Sequence, residues 1–498
     1  MVALSSFIQF HARRTPERVA LIYQDDRITY ADLMHRIATT AGWLAARGIG
    51  PGDVVALLMK NSPAFLELTF AISHLGAVSL PINYRLSADE VGYILEDAGA
   101  RLLIGDQELA AGLPIGVEVD AAAQRNSTRL APHAPPPAIM RAAKASDLFR
   151  LMYTSGTTDR PKGMMHSYSN FYWKSSDHIV ALGLGAADRL LIAGPLYHVG
   201  AFDLPGVAVL WVGGTLSILR DFSPQRALAA IAHERLTGAW LAPVMLGGIL
   251  ASPDRSAKDL ESMRWVVGGG ERTPEARIAA FSGLFTRARY IDAYGLTESC
   301  SGDTMMEAGR ELEKIGSVGR ALAHIEVEIR GSDGQPLAPG DTGEICLRGP
   351  KVTQGYWNDA EKTKASFFDD WLRTGDVGHL DGEGFLYLTD RKKDMIISGG
   401  ENIASSEVER VIYELPQVQD AAVIGIPDAR WGERPVAVVV VKPGQSLSLE
   451  VVQEHCRRKL AGFKVPKEVM LHRELPRNPS GKVLKRVLRA TIAGRTKD

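Results

Sequence analysis

The stretch Tyr153–Ser167, YTSGTTDRPKGMMHS, decides how the sequence is interpreted. It overlaps the end of the apolar run Phe149–Tyr153, FRLMY, which is typical of a buried strand. Backbone amides and hydroxyls of such a Gly/Ser/Thr-rich loop can face an anion at the end of a strand. The loop is not a Walker A motif, because Lys162 stands between a proline and a glycine. It therefore predicts a phosphate site of another architecture.

Short β-rich runs alternate with helical segments on both sides of this loop. The alternation covers the first half of the chain and continues to about Tyr294, which predicts parallel sheets covered by helices. The Pro/Ala-rich stretch Ala131–Ala145 separates two such regions and is interpreted as a surface connection. After Gly316 the pattern becomes β-rich, with a hairpin turn signal at Asp381-Gly382. Beyond Asp394 a compact β/α pattern predicts a separate small unit.

Composition limits the classes of partner. The chain has 498 residues, so we expect several packing units. Its 57 basic and 58 acidic residues leave a net charge of −1, which argues against nucleic acid or an anionic membrane as partners. A small metabolite is the partner that this balance favours.

The three cysteines, Cys300, Cys346 and Cys456, are far apart in the sequence and form no CxxC pair. They predict neither a disulfide framework nor a structural zinc site, and the simplest setting is a reducing cytoplasm. The N-terminal segment lacks the order of a secretory signal, and no apolar run reaches the length of about 18 residues that a membrane helix needs. We therefore expect a cytoplasmic protein with no integral membrane segment.

Five short motifs stand in one order along the chain. Together they are far more specific than any one alone: TSGTTDRPKG (Thr154–Gly163), YGLTES (Tyr294–Ser299), RTGD (Arg373–Asp376), DRKKDMIISGGEN (Asp390–Asn402) and PRNPSGK (Pro476–Lys482). The set resembles the adenylate-forming superfamily of acyl-CoA synthetases, luciferases and peptide-synthetase adenylation domains. The resemblance covers essentially the whole chain.

The resemblance implies an α/β fold in two parts. Residues 1–392 would form a large N-terminal AMP-binding domain of two layered α/β subdomains plus a small β-rich subdomain. Residues 393–498 would form a small, mobile α+β C-terminal domain. Lys393 would be the hinge between them, although without the resemblance an exposed lysine in a basic run is the simpler interpretation. Many relatives are dimers, so a homodimer is possible.

The resemblance also implies the reaction. A carboxylic acid attacks the α-phosphate of ATP, with Mg²⁺ bound, to give an acyl adenylate and pyrophosphate, and the thiol of CoA then displaces AMP. Two alternatives are an enzyme that transfers the acyl group to a carrier protein and a non-catalytic nucleotide-binding relative. The stand-alone length, with no carrier segment, favours CoA. The joint presence of Lys162, Glu298, Asp376, Arg391 and Lys482 argues against the non-catalytic relative.

Residue chemistry supports the nucleotide assignment. Tyr294 offers a π-face for adenine, Glu298 offers a hard oxygen ligand for Mg²⁺, and by resemblance Thr154 shares that metal. Asp376 follows a glycine in a turn, where its carboxylate can receive both ribose hydroxyls, although an ordinary turn aspartate has the same sequence. The full predicted ATP-binding set is Thr154, Ser155, Gly156, Thr157, Thr158, Lys162, Gly270, Glu271, Asp292, Ala293, Tyr294, Gly295, Thr297, Asp376 and Arg391.

Lys482 is the strongest single catalytic candidate. It precedes an apparent helix, where the helix dipole disfavours a cation, so a structural explanation for it is poor. By resemblance it contacts the carboxylate and the α-phosphate as negative charge builds on phosphorus. One lysine cannot stay there while a large thiol approaches, so the C-terminal domain would rotate between the half-reactions. By resemblance, the residues that then bind CoA are Gly399, Gly400, Glu401 and Trp431, although a structural role for Trp431 is nearly as plausible.

His198 lies at the position beside the acyl carbonyl in the family pattern and is the third catalytic candidate, with a structural role equally plausible. The acyl pocket would be formed by His198, Phe202, Trp240, Met245, Gly269, Gly295 and Thr304. This set has no cation for a second carboxylate, which favours a fatty or aromatic monocarboxylate. Asp159, where the family loop usually has glycine, is expected to point outward from the phosphate loop.

Overall fold

The computed structural model describes residues 3–110, 140–154, 161–256, 258–270, 273–391, 394–398, 401–428, 430–477 and 483–495. For Arg391 only the backbone is described. Several residues singled out in the sequence lie outside the described ranges: Ser155, Gly156, Thr157, Thr158, Asp159, Glu271, Lys393, Gly399, Gly400 and Lys482. None of the described helices combines the length and the apolar character that crossing a bilayer requires.

Helices and strands alternate along most of the chain. The strands are β1 Val19–Tyr23, β2 Asp26–Thr29, β3 Val54–Leu58, β4 Val78–Pro81, β5 Ala100–Gly105, β6 Leu148–Thr154, β7 Lys162–Ser167, β8 Arg189–Ile192, β9 Thr215–Ile218, β10 Gly238–Leu241, β11 Trp265–Gly268, β12 Arg289–Tyr294, β13 Thr304–Met305, β14 Arg320–Ala321, β15 Glu326–Arg330, β16 Gly343–Arg348, β17 Phe367–Phe368, β18 Trp371–Leu380, β19 Leu386–Arg391, β20 Ile396–Ser398, β21 Glu401–Ile403, β22 Val418–Asp428, β23 Gly432–Val441 and β24 Glu468–Leu471.

The helices cover the sheets and carry clear start signals; for example, a capping box of Ser167 and Asn170 begins α6. They are α1 Ser5–Arg14, α2 Tyr30–Ala46, α3 Pro63–His74, α4 Ala88–Asp97, α5 Gln107–Ala110, α6 Tyr168–Leu182, α7 Val199–Phe202, α8 Val207–Trp211, α9 Pro224–Glu234, α10 Pro243–Ala251, α11 Glu275–Leu284, α12 Ala360–Ala365, α13 Ser405–Tyr413, α14 Leu449–Arg457 and α15 Lys485–Arg495.

Two mainly parallel sheets form the first part of the molecule. One has five strands in the order β5-β3-β4-β6-β7, and the other has nine in the order β14-β13-β12-β11-β10-β8-β9-β1-β2. Strands such as β3 and β10 are buried along their whole length, as expected for parallel strands covered on both faces. The predicted layered α/β architecture of this part is confirmed.

The remaining sheets are smaller. An antiparallel sheet, β15-β16-β18-β17 with β19 beside β18, contains the predicted hairpin at Asp381-Gly382. The C-terminal sheet, β21-β20-β23-β22 with β24 beside β23, is covered by α13 and α14 through the apolar side chains of its own core. The α+β C-terminal unit is therefore present, as predicted. The exact boundary at residues 392/393 stays a prediction.

The loop after Thr154 does not lead into a helix. Lys162 begins β7, which runs antiparallel to β6 and pairs Lys162 with Thr154 across the loop. The two ends of the predicted phosphate loop are thus held together by a pair of antiparallel strands.

Strand β1 joins the second sheet through parallel pairing with β9, which lies nearly 200 residues later in the chain. Local sequence patterns carry no information on such distant pairing.

A cluster of buried charges lies inside the N-terminal part. The Arg150 guanidinium of β6 donates to the Asp203 carboxylate at 2.8 Å, and the Lys174 ammonium of α6 lies 3.3 Å from the other oxygen of Asp203. Lys174 and Asp203 are fully buried, and Arg150 is 2% exposed. Burial alone would raise the pKa of Asp203, but the charges of Arg150 and Lys174 hold that pKa below its ordinary value. The carboxylate is therefore ionised and forms ion pairs with two buried cations.

Two fully buried histidines adjoin this cluster. His166 accepts a hydrogen bond from Arg150 through Nδ1 and donates from Nε2 to the Thr297 carbonyl at 2.7 Å. Burial and the neighbouring Arg150 charge lower the pKa of His166 to about 3. Burial and the nearby lysines lower the pKa of His178 well below its ordinary value. Both rings are neutral in the folded protein at neutral pH.

We predict that Asp203→Asn strongly destabilises the fold, because it leaves Arg150 and Lys174 buried without a counter-charge. The expected loss is about 3 to 5 kcal/mol of unfolding free energy, measured by chemical denaturation. The control is Glu326→Gln, which breaks the exposed ion pair with Arg348 and should cost no more than about 1 kcal/mol. Equal effects of the two substitutions would show that the buried carboxylate does not carry this role.

We also predict that the free energy of unfolding falls as pH drops below about 6.5, the ordinary histidine pKa. The unfolded chain then binds protons that folded His166 and His178 do not, so each ring costs about 1.4 kcal/mol per pH unit. Urea titrations between pH 7.5 and 5 measure the slope. His178→Gln should lower the slope by close to one proton, whereas Gln354→Ala, which changes no titratable group and lies at an exposed position, should leave it unchanged. An unchanged slope in His178→Gln contradicts the assignment.

Candidate active site

The predicted site residues lie at the carboxyl ends of the parallel strands. Strands β8, β10, β11 and β12 run in the same direction, and Gly269, Gly270 and Gly295 directly follow two of them. Such an edge of an open parallel sheet is where ligands bind in α/β folds. The strand order therefore gathers residues that are up to about 100 positions apart in the sequence.

One cavity of about 220 Å³ joins the predicted nucleotide residues to the C-terminal segment. From the predicted set it is lined by Gly270, Ala293, Tyr294, Gly295 and Asp376. The Tyr294 hydroxyl donates to the Asp376 carboxylate at 2.9 Å, and both side chains are buried. Burial and the neighbouring carboxylate raise the pKa of Tyr294, so its hydroxyl stays protonated. The structure thus brings together the residues predicted for adenine and ribose.

The cavity also receives residues near the predicted catalytic lysine. Arg477 and Val483, which flank the loop that contains Lys482, both line it, as does Lys485 at the start of α15. The Arg477 guanidinium pairs with Asp420 at 2.6 Å, and the Lys485 ammonium pairs with Glu409 at 2.8 Å. These ion pairs anchor the two ends of the Lys482 loop at the cavity wall.

Asp292 and the backbone of Arg391 lie close to the same region. Asp292 is 3% exposed and pairs with Gly268 across β11 and β12. Arg391 ends β19, where its backbone pairs with Asp376 of β18. Both predicted ribose residues therefore stand side by side in one antiparallel ladder.

The turn after β12 has an unusual backbone. Three consecutive residues, Cys300, Ser301 and Gly302, have positive φ angles of 58°, 70° and 67°. Such angles cost energy in residues other than glycine and persist only where the surroundings enforce them. Here the fully buried Lys351 ammonium donates to the Gly302 carbonyl at 2.7 Å and lies 3.3 Å from the Asp303 carboxylate. The turn holds Glu298 on one side and Thr304 on the other.

Two residues predicted for the triphosphate have partners that the motifs did not indicate. The Lys162 ammonium pairs with the Asp359 carboxylate at 2.9 Å, and Glu298 accepts a hydrogen bond from the Tyr356 hydroxyl at 3.1 Å. Burial and the Glu298 charge raise the pKa of Tyr356, so its hydroxyl remains a donor. Both partners belong to the run GYWND, Gly355–Asp359. The glycine followed by Tyr356 and Trp357 is the feature of the sequence that could have drawn attention to this run. No spacing rule connects such a feature to phosphate binding.

The predicted metal ligands suit Mg²⁺. Thr154 ends β6 beside Lys162 of β7, and Glu298 lies in the short turn after β12 with its carboxylate held by Tyr356. Mg²⁺ in nucleotide sites usually takes one or two protein oxygens, with substrate phosphates and water completing the octahedron. One carboxylate and one hydroxyl match that pattern. When bound, the ion would neutralise negative charge on the triphosphate.

Part of the predicted acyl pocket is assembled around Trp240. Its indole is 3% exposed, its ring lies 6.2 Å from the His198 ring, and it packs close to Gly269. A Cβ atom on Gly194 or Gly200 would come within 2.5 Å of the indole, so only glycine fits at these two positions. These glycines were missed, because their requirement arises from a distant tryptophan.

The other predicted pocket residues have different surroundings. Phe202 is 2% exposed and packs against Phe171 and the Arg150 guanidinium, which is a core environment. Met245 is half-buried, and the Thr304 hydroxyl donates to the Val318 carbonyl at 2.6 Å. Their assignment to the acyl pocket stays a prediction.

His198 has a defined tautomer. Its Nδ1 accepts a hydrogen bond from the Gly200 amide at 3.0 Å, which caps α7 and places the ring proton on Nε2. Burial lowers the pKa of His198 to about 4, so the ring is neutral at neutral pH. A neutral ring that carries its proton on Nε2 can donate one hydrogen bond to an oxygen.

Glu401 and Trp431, the described residues of the set predicted for CoA, lie at one end of the C-terminal sheet. Ser398 of β20 pairs with Glu401 of β21 and with Gly432 of β23, the residue after Trp431. Trp431 is 44% exposed and its ring contacts the Arg430 guanidinium. This exposure differs from that of a core tryptophan and leaves the indole face accessible.

Known proteins resemble this chain over nearly its whole length. The AMP-binding enzyme family model matches residues 8–357, and the AMP-binding enzyme C-terminal domain model matches residues 407–482. Feruloyl-CoA synthase of an Amycolatopsis species is 38% identical over 493 residues, which are 97% of each chain. A long-chain-fatty-acid–CoA ligase of Mycobacterium tuberculosis is 37% identical over 474 residues, which are 93% of each chain.

Solved structures agree with these relatives. O-succinylbenzoate coenzyme A synthetase of Bacillus subtilis, in complex with ATP and a magnesium ion, matches 96% of this chain and 98% of its own. The TM-score is 0.86 at 32% identity. The predicted fold class, the ligase activity and the substrates ATP and CoA are thereby confirmed. The chain belongs to the AMP-binding enzyme family and is an AMP-forming acid:CoA ligase.

Proposed function

We propose that this ligase activates an aromatic monocarboxylic acid. The observation that carries the proposal is the pair formed by the buried Trp240 indole, for which Gly194 and Gly200 leave room, and the His198 ring 6.2 Å from it. Both rings are planar, and a planar aromatic ligand beside them gains stacking contacts. A flexible alkyl chain gains less from such contacts.

Charge supports a single carboxylate. The described members of the proposed pocket, Phe202, Trp240, Met245, Gly269, Gly295 and Thr304, include no lysine or arginine. A second carboxylate in this pocket would lose its hydration without a compensating cation. The name of feruloyl-CoA synthase specifies an aromatic monocarboxylic acid, in line with the proposal. A fatty acid is the second candidate, because a relative of similar identity is a fatty-acid ligase.

We assign His198 to orient the acid. Its neutral ring has the proton on Nε2, since Nδ1 is engaged by the Gly200 amide. The Nε2–H would donate to one carboxylate oxygen and leave the other to attack the α-phosphate of ATP. Lys482 would stabilise the charge that develops on phosphorus. Lys162, Glu298 and Thr154 would hold the leaving pyrophosphate, the last two through Mg²⁺.

The second half-reaction requires a different arrangement of the C-terminal domain. Rotation at Lys393 would withdraw Lys482 and bring Gly399, Gly400, Glu401 and Trp431 to the acyl adenylate, where they would line the path of the CoA thiol. The domains would then be residues 1–392 and 393–498. A cytoplasmic location and a homodimer remain predictions from the sequence.

A panel of acids tests the substrate class. The assays are acid-dependent ATP–pyrophosphate exchange and thioester formation. Benzoate- and cinnamate-type acids should give a kcat/KM at least about tenfold above that of fatty acids of any length. This ratio corresponds to about 1.4 kcal/mol of transition-state stabilisation. Trp240→Ala should reduce this preference for aromatic acids, because it removes the indole ring against which they would stack. Higher activity with a fatty acid than with every aromatic acid would overturn the proposal.

The catalytic role of Lys482 predicts a separation of the half-reactions. Lys482→Ala should lose adenylate formation by about 10²- to 10³-fold, the usual effect of removing a charge-stabilising donor. Thioester formation from supplied acyl adenylate should be largely retained, because the lysine has then left the site. Lys459→Ala is the matched control, since Lys459 lies at the surface of the C-terminal unit, where it pairs with Glu414. Equal loss of both half-reactions in Lys482→Ala would contradict the assignment.

A further inference from the structure

The segment Thr353–Asp359, TQGYWND, runs along strand β7. It contacts Lys162 and Glu298, the two residues proposed to bind the triphosphate and its Mg²⁺. The Gly355 carbonyl accepts from the Met165 amide at 3.2 Å, and the Trp357 amide donates to the Gly163 carbonyl at 2.7 Å. These backbone bonds place the segment beside the first residues of β7, of which Lys162 is the first. We call this segment the strap.

The strap is also fixed to the Glu298 turn. The Thr353 amide donates to the Glu298 carbonyl at 2.6 Å, and the Thr353 hydroxyl donates to the Met165 carbonyl at 2.7 Å. The strap therefore bridges two elements that are about 130 residues apart in the sequence, β7 and the turn after β12. Its backbone thus joins the strand that begins with Lys162 to the turn that contains Glu298.

Two side chains of the strap reach the functional groups themselves. The Tyr356 hydroxyl donates to Glu298 Oε1 at 3.1 Å, and Asp359 Oδ2 accepts from the Lys162 ammonium at 2.9 Å. The other oxygen of Asp359 accepts from the Lys362 amide at 2.9 Å and caps α12, so the carboxylate has a fixed position. One short segment thus orients both the carboxylate proposed for Mg²⁺ and the cation proposed for the phosphates.

We propose that Tyr356 and Asp359 are positioning residues for the β- and γ-phosphates of ATP. The proposal rests on the roles assigned above to Lys162 and Glu298. Tyr356 removes rotational freedom from the Glu298 carboxylate, and Asp359 does the same for the long side chain of Lys162, which is 41% exposed. The ammonium has three donors, so one bond to Asp359 leaves two for phosphate oxygens. Residues that hydrogen-bond to the ligands of a metal site commonly change its affinity when they are replaced.

The alternative is that the strap only stabilises the fold. The two interpretations differ in what the substitutions do to ATP relative to AMP. AMP has no β- or γ-phosphate, so a positioning role affects ATP binding alone, whereas a folding role affects both nucleotides and the melting temperature together. Calorimetric titration of the full-length enzyme with AMP, and with ATP plus Mg²⁺ in the absence of acid, separates them without any turnover.

We expect Tyr356→Phe to weaken ATP binding about tenfold, because it removes one hydrogen bond to a charged group while keeping the ring. We expect Asp359→Asn to weaken it about threefold, since the pair with Lys162 is partly exposed and asparagine still caps α12. The Kd for AMP should change by less than about twofold in both. Gln354→Ala, an exposed change on the same strap, is the control and should alter neither nucleotide.

Reference variants separate this proposal from the one on which it rests. Glu298→Gln and Lys162→Ala should themselves weaken ATP binding more than AMP binding; if they do not, the assigned roles fail and the proposal fails with them. If they do, but Tyr356→Phe and Asp359→Asn leave ATP binding unchanged or weaken AMP equally, the strap has no positioning role. Tighter ATP binding in Asp359→Asn would also overturn it, because the carboxylate would then compete with phosphate for Lys162.

Discussion

Pairing of Asp203 with two buried cations connects the core of this enzyme to its reacting groups. Asp203 holds Arg150, Arg150 donates to His166, and His166 donates to the carbonyl of Thr297. The hydrogen bonds of this series, from Asp203 to Thr297, are buried or partly buried. In a low dielectric such a network is strong when every group has its partner, and losing one partner is costly. The residue after Thr297 is Glu298. The backbone next to Glu298, the proposed Mg²⁺ ligand, is therefore linked through hydrogen bonds to an ion pair in the protein interior.

A second buried cation acts on the same turn from the opposite side. Lys351 donates to the Gly302 carbonyl and compensates Asp303, and the left-handed backbone from Cys300 to Gly302 depends on such fixed partners. Gly295 approaches the Gly302 amide so closely that a Cβ atom would lie 2.3 Å from it. The turn is thus compressed between β12 and Lys351. These contacts fix the backbone between Glu298 and Thr304, the latter a residue predicted for the acyl pocket.

The sequence predicted the parts of the structure that follow from local patterns. The predicted alternation of β-rich runs and helical segments up to about Tyr294 is present as strands β8 to β12 with helices between them, and the motifs include Tyr294 and Asp376, whose side chains are hydrogen-bonded in the structure. Other features depend on distant partners. Lys174 occupies a helix position that reads as an ordinary polar site, yet it is fully buried because Asp203 reaches it from α7. Tyr356 and Gly200 likewise acquire their roles only through Glu298 and Trp240.

The contacts around the C-terminal unit suit a domain that changes position during catalysis. Contacts within the unit include the buried pairing of Lys485 with Glu409, which rotation would preserve. Described contacts that span the proposed hinge include hydrogen bonds, such as Asp390 accepting from the Ser405 amide and hydroxyl at 2.6 Å and Arg277 donating to the Gln419 carbonyl at 3.2 Å, and the Arg277 guanidinium also lies over the Tyr413 ring. Hydrogen bonds exchange for water at a net cost of about 1 kcal/mol each, whereas separating an apolar interface costs more for the same area. An interface built from such bonds can open and close within each turnover while each arrangement stays well defined.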